Sequence, residues 1–292
     1  MLVKPVPFTK ELDGVVTLVK AIILAGGKGT RLRPLTYGIP KPLLPIKGTP
    51  MVEWIIRSIA SPQIDEVIVG VSGTVGEDIQ ERVLSHIHGI CIESYLRNVN
   101  YGFKIRTIPT PMRETAGDLR YILEETGMKK GRIIVAYGDN LTQVNIEELL
   151  KYHENAKNQL GAVGTVVLFE APEQDVSRFG IAKLKEVNGI NLIEHFIEKP
   201  ALSQAPSRFA NAGYYVLDVE EIFDMLSREK IKVEHSLFPA LASQNKLAGF
   251  ITKLPYWIDI STLEAYDKAN RIMHDNLIIP PTTPVTSDSK SS

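Results

Sequence analysis

The stretch that decides the fold is Ala21-Ile22-Ile23-Leu24-Ala25-Gly26-Gly27-Lys28-Gly29-Thr30-Arg31-Leu32, in which a short apolar strand runs directly into a glycine-rich turn. Glycines after a buried strand let backbone N–H groups approach a phosphate or a base with no side chain in the way. The turn is not a dinucleotide fingerprint, because Leu32 stands where that pattern has glycine, and it lacks the Gly-Lys-Ser/Thr of a Walker loop. A plain strand-to-helix turn would explain the glycines equally well.

Apolar runs that alternate with helical patterns follow this strand. Residues 66–71 and 132–136 are apolar enough to be strands buried on both faces, while 51–58 and 145–157 have helical periodicity. Strand, helix and strand in succession predict a three-layer α/β/α, Rossmann-like fold around a central mixed, mostly parallel sheet.

The pattern changes after Gly161, because strands follow one another there without long helices. Strands are predicted at 162–169, 180–184, 193–197 and 213–217, and helices at 219–227, 235–243 and 262–274. These strands are expected to extend the same sheet or to pack beside it. We therefore predict one domain over 20–275, with halves at about 20–160 and 161–275, an N-terminal arm at 1–19 and a flexible tail at 276–292, where Pro and Ser are frequent.

The composition is that of an ordinary globular protein. The 292 residues include 44% apolar and 23% charged side chains, and the formal net charge is −1. A near-neutral chain gives no electrostatic reason to expect nucleic acid as a partner. The absence of a long apolar segment, of a secretion signal and of a second cysteine beside Cys91 predicts a cytoplasmic chain with no membrane partner.

The continuation of the glycine turn carries a family resemblance. Arg33-Pro34-Leu35-Thr36 and Ile39-Pro40-Lys41-Pro42-Leu43-Leu44-Pro45-Ile46 follow at the spacing of a known signature. From about Lys20 to about Asn270 the chain resembles the sugar-1-phosphate nucleotidylyltransferases, or NDP-sugar pyrophosphorylases. The resemblance implies a nucleotidyltransferase fold and an enzyme that uses Mg²⁺ to convert an NTP and a sugar-1-phosphate into an NDP-sugar and pyrophosphate.

Two cations in this signature suit a nucleoside triphosphate, which carries about four negative charges. Arg31 can hold the triphosphate through its planar guanidinium, as the matching arginine of the family does. Lys41, fixed between two prolines, would reach the α-phosphate. The resemblance also implies nucleotide contacts from the glycine turn and from a second segment, that is from Leu24, Ala25, Gly26, Gly27, Gly29, Thr30, Thr115, Ala116 and Gly117.

Two aspartates are predicted to hold the metal. Asp139 follows the strand at 132–136, the place where ligands bind in open α/β sheets, and its carboxylate is a hard ligand suited to Mg²⁺. Capping of the next turn is the alternative role for Asp139. The resemblance assigns it the first metal site and assigns the second to Asp259, in Trp257-Ile258-Asp259-Ile260-Ser261-Thr262, where Ser261 replaces the glycine usual in the family.

Further segments match elements of the family that face the sugar phosphate. The resemblance implies that Lys199 neutralises the phosphate, while the sugar is contacted by Tyr137, Gly138, Glu198 and Asn211, with Ser177-Arg178-Phe179-Gly180 nearby. Taken on their own, these segments are more readily explained as exposed strand ends, and the assignment rests on the resemblance. Glu114 departs from the pattern, since it precedes Thr115 where the family has a glycine, and this leaves the identity of the base open.

The predicted substrates are UTP or dTTP with glucose-1-phosphate. A mannose-1-phosphate guanylyltransferase and a non-catalytic binding or assembly module with the same fold are the alternatives. Relatives of this length are often dimers or tetramers, so a homo-oligomer is compatible with the resemblance. His86 and His88 are predicted to lie in a surface loop, and Cys91 is predicted to be a small buried apolar residue.

Overall fold

The structure is a computed structural model that describes residues 18–273. The predicted tail at 276–292 lies outside the described residues, as does the predicted arm except for its last two residues, and Val19 already belongs to the first strand.

Strands and helices alternate along the described residues. The strands are β1 Val19–Leu24, β2 Pro45–Ile46, β3 Thr49–Pro50, β4 Ile64–Ser72, β5 Lys104–Thr110, β6 Arg132–Tyr137, β7 Asn140–Thr142, β8 Gly164–Glu170, β9 Gly180–Val187, β10 Ile190–Glu198, β11 Phe209–Asp218, β12 Leu247–Ile251 and β13 Trp257–Asp259. The α-helices are α1 Leu35–Gly38, α2 Met51–Ser58, α3 Ile79–Arg97, α4 Glu114–Glu125, α5 Ile146–Leu160, α6 Val219–Ile222, α7 Leu237–Ser243 and α8 Leu263–Ile272. Each of these helices is too short or too polar to cross a membrane.

One sheet runs through both halves of residues 18–273, in the order β5-β4-β1-β6-β11-β8-β12-β10-β9. The strands β5, β4, β1 and β6 are parallel to one another, because a helix connects each pair of successive strands. From β11 onward the sheet is mixed: β11 pairs antiparallel with β6 and β8, and β8 pairs parallel with β12. The predicted strands after Gly161 therefore extend the same sheet.

Two apolar cores cover the two faces of this sheet. In β1, Ala21 and Ile23 point into one core and Ile22 into the other, as the alternation of a strand requires. Helices α2, α3, α5 and α8 contribute to the first core, and α4, α6 and α7 to the second. The three-layer α/β/α prediction is thus confirmed.

Helix α3 corrects two predictions. His86 and His88 lie inside this 19-residue helix instead of in a surface loop, and His88 is buried on its inner side. Cys91, predicted to be buried, is exposed. Few large apolar side chains face inward from α3, and several of its isoleucines are exposed, so its sequence lacks the apolar stripe by which an amphipathic helix is recognised.

A buried ionic cluster holds the end of β11 against β6 and α5. Asp218 accepts hydrogen bonds from Arg132 at 3.0 Å and Lys157 at 2.8 Å, and His153 Nε2 lies 3.3 Å from its Oδ2. Burial opposes ionisation of Asp218, but the contacts with His153 and Lys157 and the charge of Arg132 outweigh it, and the pKa of Asp218 is held well below its ordinary value. The folded state therefore favours the ionised carboxylate.

Replacing this carboxylate is expected to destabilise the fold. Asp218→Asn should lower the free energy of unfolding by about 3 kcal/mol at pH 7, because the largely buried Arg132 and the partly exposed Lys157 lose a buried charged partner. Since the folded pKa is depressed, the stabilisation is complete above the unfolded pKa of about 4 and is lost progressively as the pH falls from there through the lower folded pKa. Urea unfolding at pH 7 and pH 3 should show a difference that shrinks in acid. Asp267→Asn, in an exposed pair with Arg271, is the control, and an equally large loss there would contradict the assignment.

Helix α4 begins with a residue in an unusual backbone conformation. Glu114 has φ = +61°, in the left-handed region that favours glycine, and Arg113 before it donates its N–H to Asp118 Oδ1 at 2.7 Å. The chain therefore keeps, at Glu114, a backbone shape that suits the glycine of the family pattern. A side chain in this region costs about 1 kcal/mol.

Glu114→Gly is accordingly expected to raise the free energy of unfolding by about 0.5–1 kcal/mol, because the left-handed strain is relieved. The matched control is Glu147→Gly in the first turn of α5, where the backbone is helical and glycine should cost a similar amount. Urea denaturation of both variants gives the measurement. Destabilisation by both substitutions would contradict the role given to strain at Glu114.

Candidate active site

The carboxyl ends of β1 and β6 and the first half of β11, which runs antiparallel to β6, open into a single cleft of about 950 Å³. Parallel strands that share a direction bring the residues after them to one edge of the sheet, where open α/β proteins bind ligands. Of the residues predicted from the sequence, the cleft is lined by Leu24, Gly26, Gly27, Arg31, Thr115, Tyr137, Asp139, Glu198, Asn211 and Asp259.

The two predicted metal-binding aspartates are brought together by a small ribbon. Strand β13 pairs antiparallel with β7, with Asp259 opposite Asn140, and the Ile260 N–H donates to the Asp139 carbonyl at 2.9 Å. Asp139 lies in the turn between β6 and β7. Residues far apart in sequence are thus neighbours because of two short strands that the sequence analysis did not predict.

The environment of Asp259 favours a cation. Burial, followed by the charge of Asp139, raises the pKa of Asp259, and the Ser261 hydroxyl partly offsets this by donating to Asp259 Oδ2 at 2.8 Å. Two carboxylates at one edge of the cleft are hard oxygen donors of the kind that Mg²⁺ takes, while water and substrate oxygens complete its shell. No group of three or more His, Cys, Asp or Glu within residues 18–273 forms a closed protein cage. The donor set therefore fits a magnesium ion shared with a substrate.

Lys41 contacts one of these aspartates. Its Nζ lies 2.7 Å from Asp139 Oδ2, and its side chain is largely buried, although Lys41 does not itself line the cleft. The residue begins a short 3-10 turn, Lys41–Leu43, between Pro40 and Pro42. The ion pair places a cation beside the two carboxylates and holds the Asp139 side chain in position.

The glycine turn divides into residues that face the cleft and residues that pack behind it. Gly26, Gly27 and Arg31 line the cleft, whereas Ala25, Gly29 and Thr30 do not. Gly138, which also lies outside the lining, lets the ends of β1 and β6 approach closely, since a Cβ there would stand 2.7 Å from the Leu24 carbonyl oxygen. The structure therefore explains the glycine at position 138 by the close packing of the two strand ends.

The segment predicted to approach the base is packed against another loop. Thr115 lines the cleft, but the Ala116 N–H donates to the Ile231 carbonyl at 3.0 Å. A Cβ on Gly117 would stand 2.5 Å from the Glu229 carbonyl oxygen. Neither Ala116 nor Gly117 reaches the lining, and the structure explains the glycine by this close packing.

The residues predicted to contact the sugar phosphate also divide into some that line the cleft and one, Lys199, that does not. Glu198 at the end of β10 and Asn211 on β11 line the cleft, as do Arg178 and Phe179. Lys199 does not, because it follows the strand with φ = +47° and its side chain is 64% exposed, with Nζ 3.9 Å from Glu198 Oε1. The structure does not bring Lys199 together with the other cations.

Two segments of the lining were missed, residues 75–77 in the loop after β4 and the segment before α7. The cleft is also bounded by Lys230, Lys232, Glu234 and His235, which precede α7. The sequence of the segment before α7 contains a pattern that could have indicated its position, since charged side chains alternate with Ile231 and Val233, and Val233 is buried. Such alternation indicates an extended segment with one face in the core.

The comparisons with known proteins identify the family. The model of the nucleotidyl transferase family matches residues 20–276. The chain is 29% identical over 265 residues to a UTP–glucose-1-phosphate uridylyltransferase of Synechocystis, covering 87% of this chain and 63% of the relative. It is 29% identical over 244 residues to a mannose-1-phosphate guanyltransferase of Saccharomyces cerevisiae, covering 83% and 61%.

A solved UDP-glucose pyrophosphorylase from Acinetobacter baumannii shares the fold, with a TM-score of 0.65 at 18% identity over 87% of this chain and 92% of the other. The chain spans less than two thirds of the length of the two curated relatives. Because the family model covers most of the sequence and the sheet places the motifs at one cleft, the chain belongs to the nucleotidyl transferase family.

Proposed function

We propose that this chain transfers a nucleotidyl group from an NTP to a sugar-1-phosphate, giving an NDP-sugar and pyrophosphate. The observation that carries the proposal is the meeting of Asp139 and Asp259 at the cleft, with Lys41 on Asp139 and Arg31 in the lining. An arrangement of two carboxylates beside cations suits a polyphosphate that arrives with a divalent metal. The activities named for the two curated relatives support the same reaction class.

In the reaction, an oxygen of the sugar phosphate attacks the α-phosphorus of the NTP in line. The new P–O bond forms as the bond to the bridging oxygen of the β-phosphate breaks, and that oxygen leaves with pyrophosphate. The attacking oxygen is already anionic, so no general base is needed. The rate enhancement then rests on orientation and on neutralisation of phosphate charge.

The residues of this chain divide that work. Arg31 binds the triphosphate through its planar guanidinium, and Lys41 moves from Asp139 to the α-phosphate when the substrate arrives. Asp139 and Asp259 would hold Mg²⁺, which supplies positive charge to the reacting phosphates. The backbone at Gly26 and Gly27 approaches the nucleotide. The role of Lys199 on the sugar phosphate stays a prediction from the family resemblance.

For the substrates we propose UTP or dTTP with glucose-1-phosphate. The name of the Synechocystis relative supports the uridylyl pair, and the name of the yeast relative favours GTP with mannose-1-phosphate as the second candidate. Pyrophosphate release with Mg²⁺ tests both. The assay crosses UTP, dTTP, GTP, CTP and ATP with the 1-phosphates of glucose, mannose and glucosamine. Release confined to one or two pairs supports the proposal. Silence across the grid, with no thermal stabilisation by any nucleotide, would favour the non-catalytic module.

Asp139→Asn is expected to lower the rate of pyrophosphate release at least about 100-fold, because a charged ligand for the metal and the partner of Lys41 are both lost. The unfolding temperature should stay close to that of the wild type, since the lost ion pair with Lys41 is offset by relief of the repulsion between Asp139 and Asp259. Asp224→Asn, at a carboxylate that is 95% exposed, is the matched control. Near-normal turnover in the Asp139 variant would remove the basis of the metal assignment.

A further inference from the structure

Helix α3 carries large apolar side chains on the face that points away from the sheet. Ile79, Val83, Ile87 and Ile90 occupy positions i, i+4, i+8 and i+11, so they form one stripe along the helix. Between 48% and 77% of the surface of each is exposed. A surface helix normally presents charged and polar side chains to solvent, and contiguous exposed apolar side chains mark a surface for interaction. The outer face of α3 is therefore a candidate interface.

The inner face of the same helix explains why this apolar stripe stays outside. Ser85, His88 and Gly89 are buried there. A Cβ on Gly89 would stand 2.4 Å from the Ser72 carbonyl oxygen, so the helix lies against the end of β4 at a distance that only glycine permits. Turning the helix to bury the stripe in the core would break this close contact.

The two ends of α3 carry opposite charges. Glu77 and Asp78 are exposed immediately before its first residue. Its last residue, Arg97, is exposed and contacts Glu93 of the same helix. Two copies of the helix laid antiparallel place each acidic end beside a basic end, whereas parallel copies place like charges together. The charges therefore favour an antiparallel pair.

The apolar stripe fits the same antiparallel arrangement. With a two-fold axis near Ile87, Val83 of each copy meets Ile90 of the other, and Ile79 meets Ser94. This register also sets the basic end of each helix beside the acidic residues that precede the other. A two-fold arrangement is self-complementary and closed, because both copies use the same surface.

We propose that the outer face of α3 joins two copies of this chain in an antiparallel dimer. The four apolar side chains supply about half of the roughly 800 Å² per partner that a stable interface buries, and the exposed side chains beside them supply the rest. The dissociation constant is accordingly expected to be micromolar. No residue of α3 lines the cleft, so the dimer is independent of the proposed function.

The first test is sedimentation velocity on the full chain at about 1 to 100 µM, the range around a micromolar dissociation constant. The wild type is expected to pass from monomer to dimer. Ile87→Glu should stay monomeric throughout, because it places two like charges at the two-fold axis. Leu202→Glu, at an apolar side chain of similar exposure outside the stripe, is the matched control and should dimerise as the wild type does.

A wild type that stays monomeric, or dimerisation that Ile87→Glu leaves unchanged, would overturn the inference. The exposure of Ile87 leads us to expect a folded variant, and circular dichroism checks this. If Ile87→Glu does not fold, Val83→Lys takes its place at another position of the stripe and should also remain monomeric.

Cross-linking tests the antiparallel register. Ile87→Cys and Ile79→Cys are compared in a Cys91→Ser background, since Cys91 is exposed. Packed helices lie about 8–10 Å apart, so a short bismaleimide should join two copies at position 87. The two positions 79 are separated by about 22 Å along the helix and should not be joined.

Cross-linking at position 79 but not at 87 would overturn the proposed arrangement. A chain that stays monomeric while its Ile87→Cys variant reacts slowly with a maleimide would also overturn it, because another segment of the same chain would then cover the stripe.

Discussion

The constraint on which the site depends is the closeness of two like charges. Asp139 and Asp259 are held side by side by the pairing of β7 with β13, and burial with mutual repulsion raises the pKa of Asp259. Such an arrangement is costly unless cations compensate for it. Lys41 supplies part of that compensation from a turn fixed by flanking prolines, and the ligand would supply the rest. The glycine turn and the ends of the central strands are organised around this pair.

The features of this site that depend on neighbouring residues in the chain could be predicted from the sequence. The strand ending at Leu24 and the carboxylate of Asp139 beyond β6 could both be placed, because buried parallel strands have continuous apolar runs and their carboxyl ends meet at one edge. The place of Asp259 came from the family motif alone. Strands β7 and β13 have three residues each, too few for periodicity to be read, so the contact that joins the two aspartates was visible only in the structure.

What could not be predicted depends on tertiary packing. The motif that contains Gly117 would have the same sequence whether the Gly117 backbone faced a ligand or the Glu229 carbonyl. The structure shows that it packs against the Glu229 carbonyl. Lys199 follows a strand whose last residue, Glu198, lines the cleft, and a single left-handed residue is enough to turn the lysine outward. The place of Glu234 in the lining was missed because its hydrogen-bond partners Tyr137 and Tyr215 come from β6 and β11, distant in sequence.

A hydrogen bond joins two segments of the cleft that lie far apart in sequence, the start of α4 and the segment before α7. Thr115, on the first helix after β5, accepts from the Val233 N–H, so the segment that carries Glu234 is fixed by the same helix start that carries Glu114. A change in the backbone at Glu114 would therefore reach the segment before α7 through this hydrogen bond. Cations reach the cleft from two elements, with Arg31 in the glycine turn and with Lys230 and Lys232 in the segment before α7. Positive side chains from two elements therefore share the cleft with the carboxylates of Asp139 and Asp259, the combination that the proposed polyphosphate ligand requires.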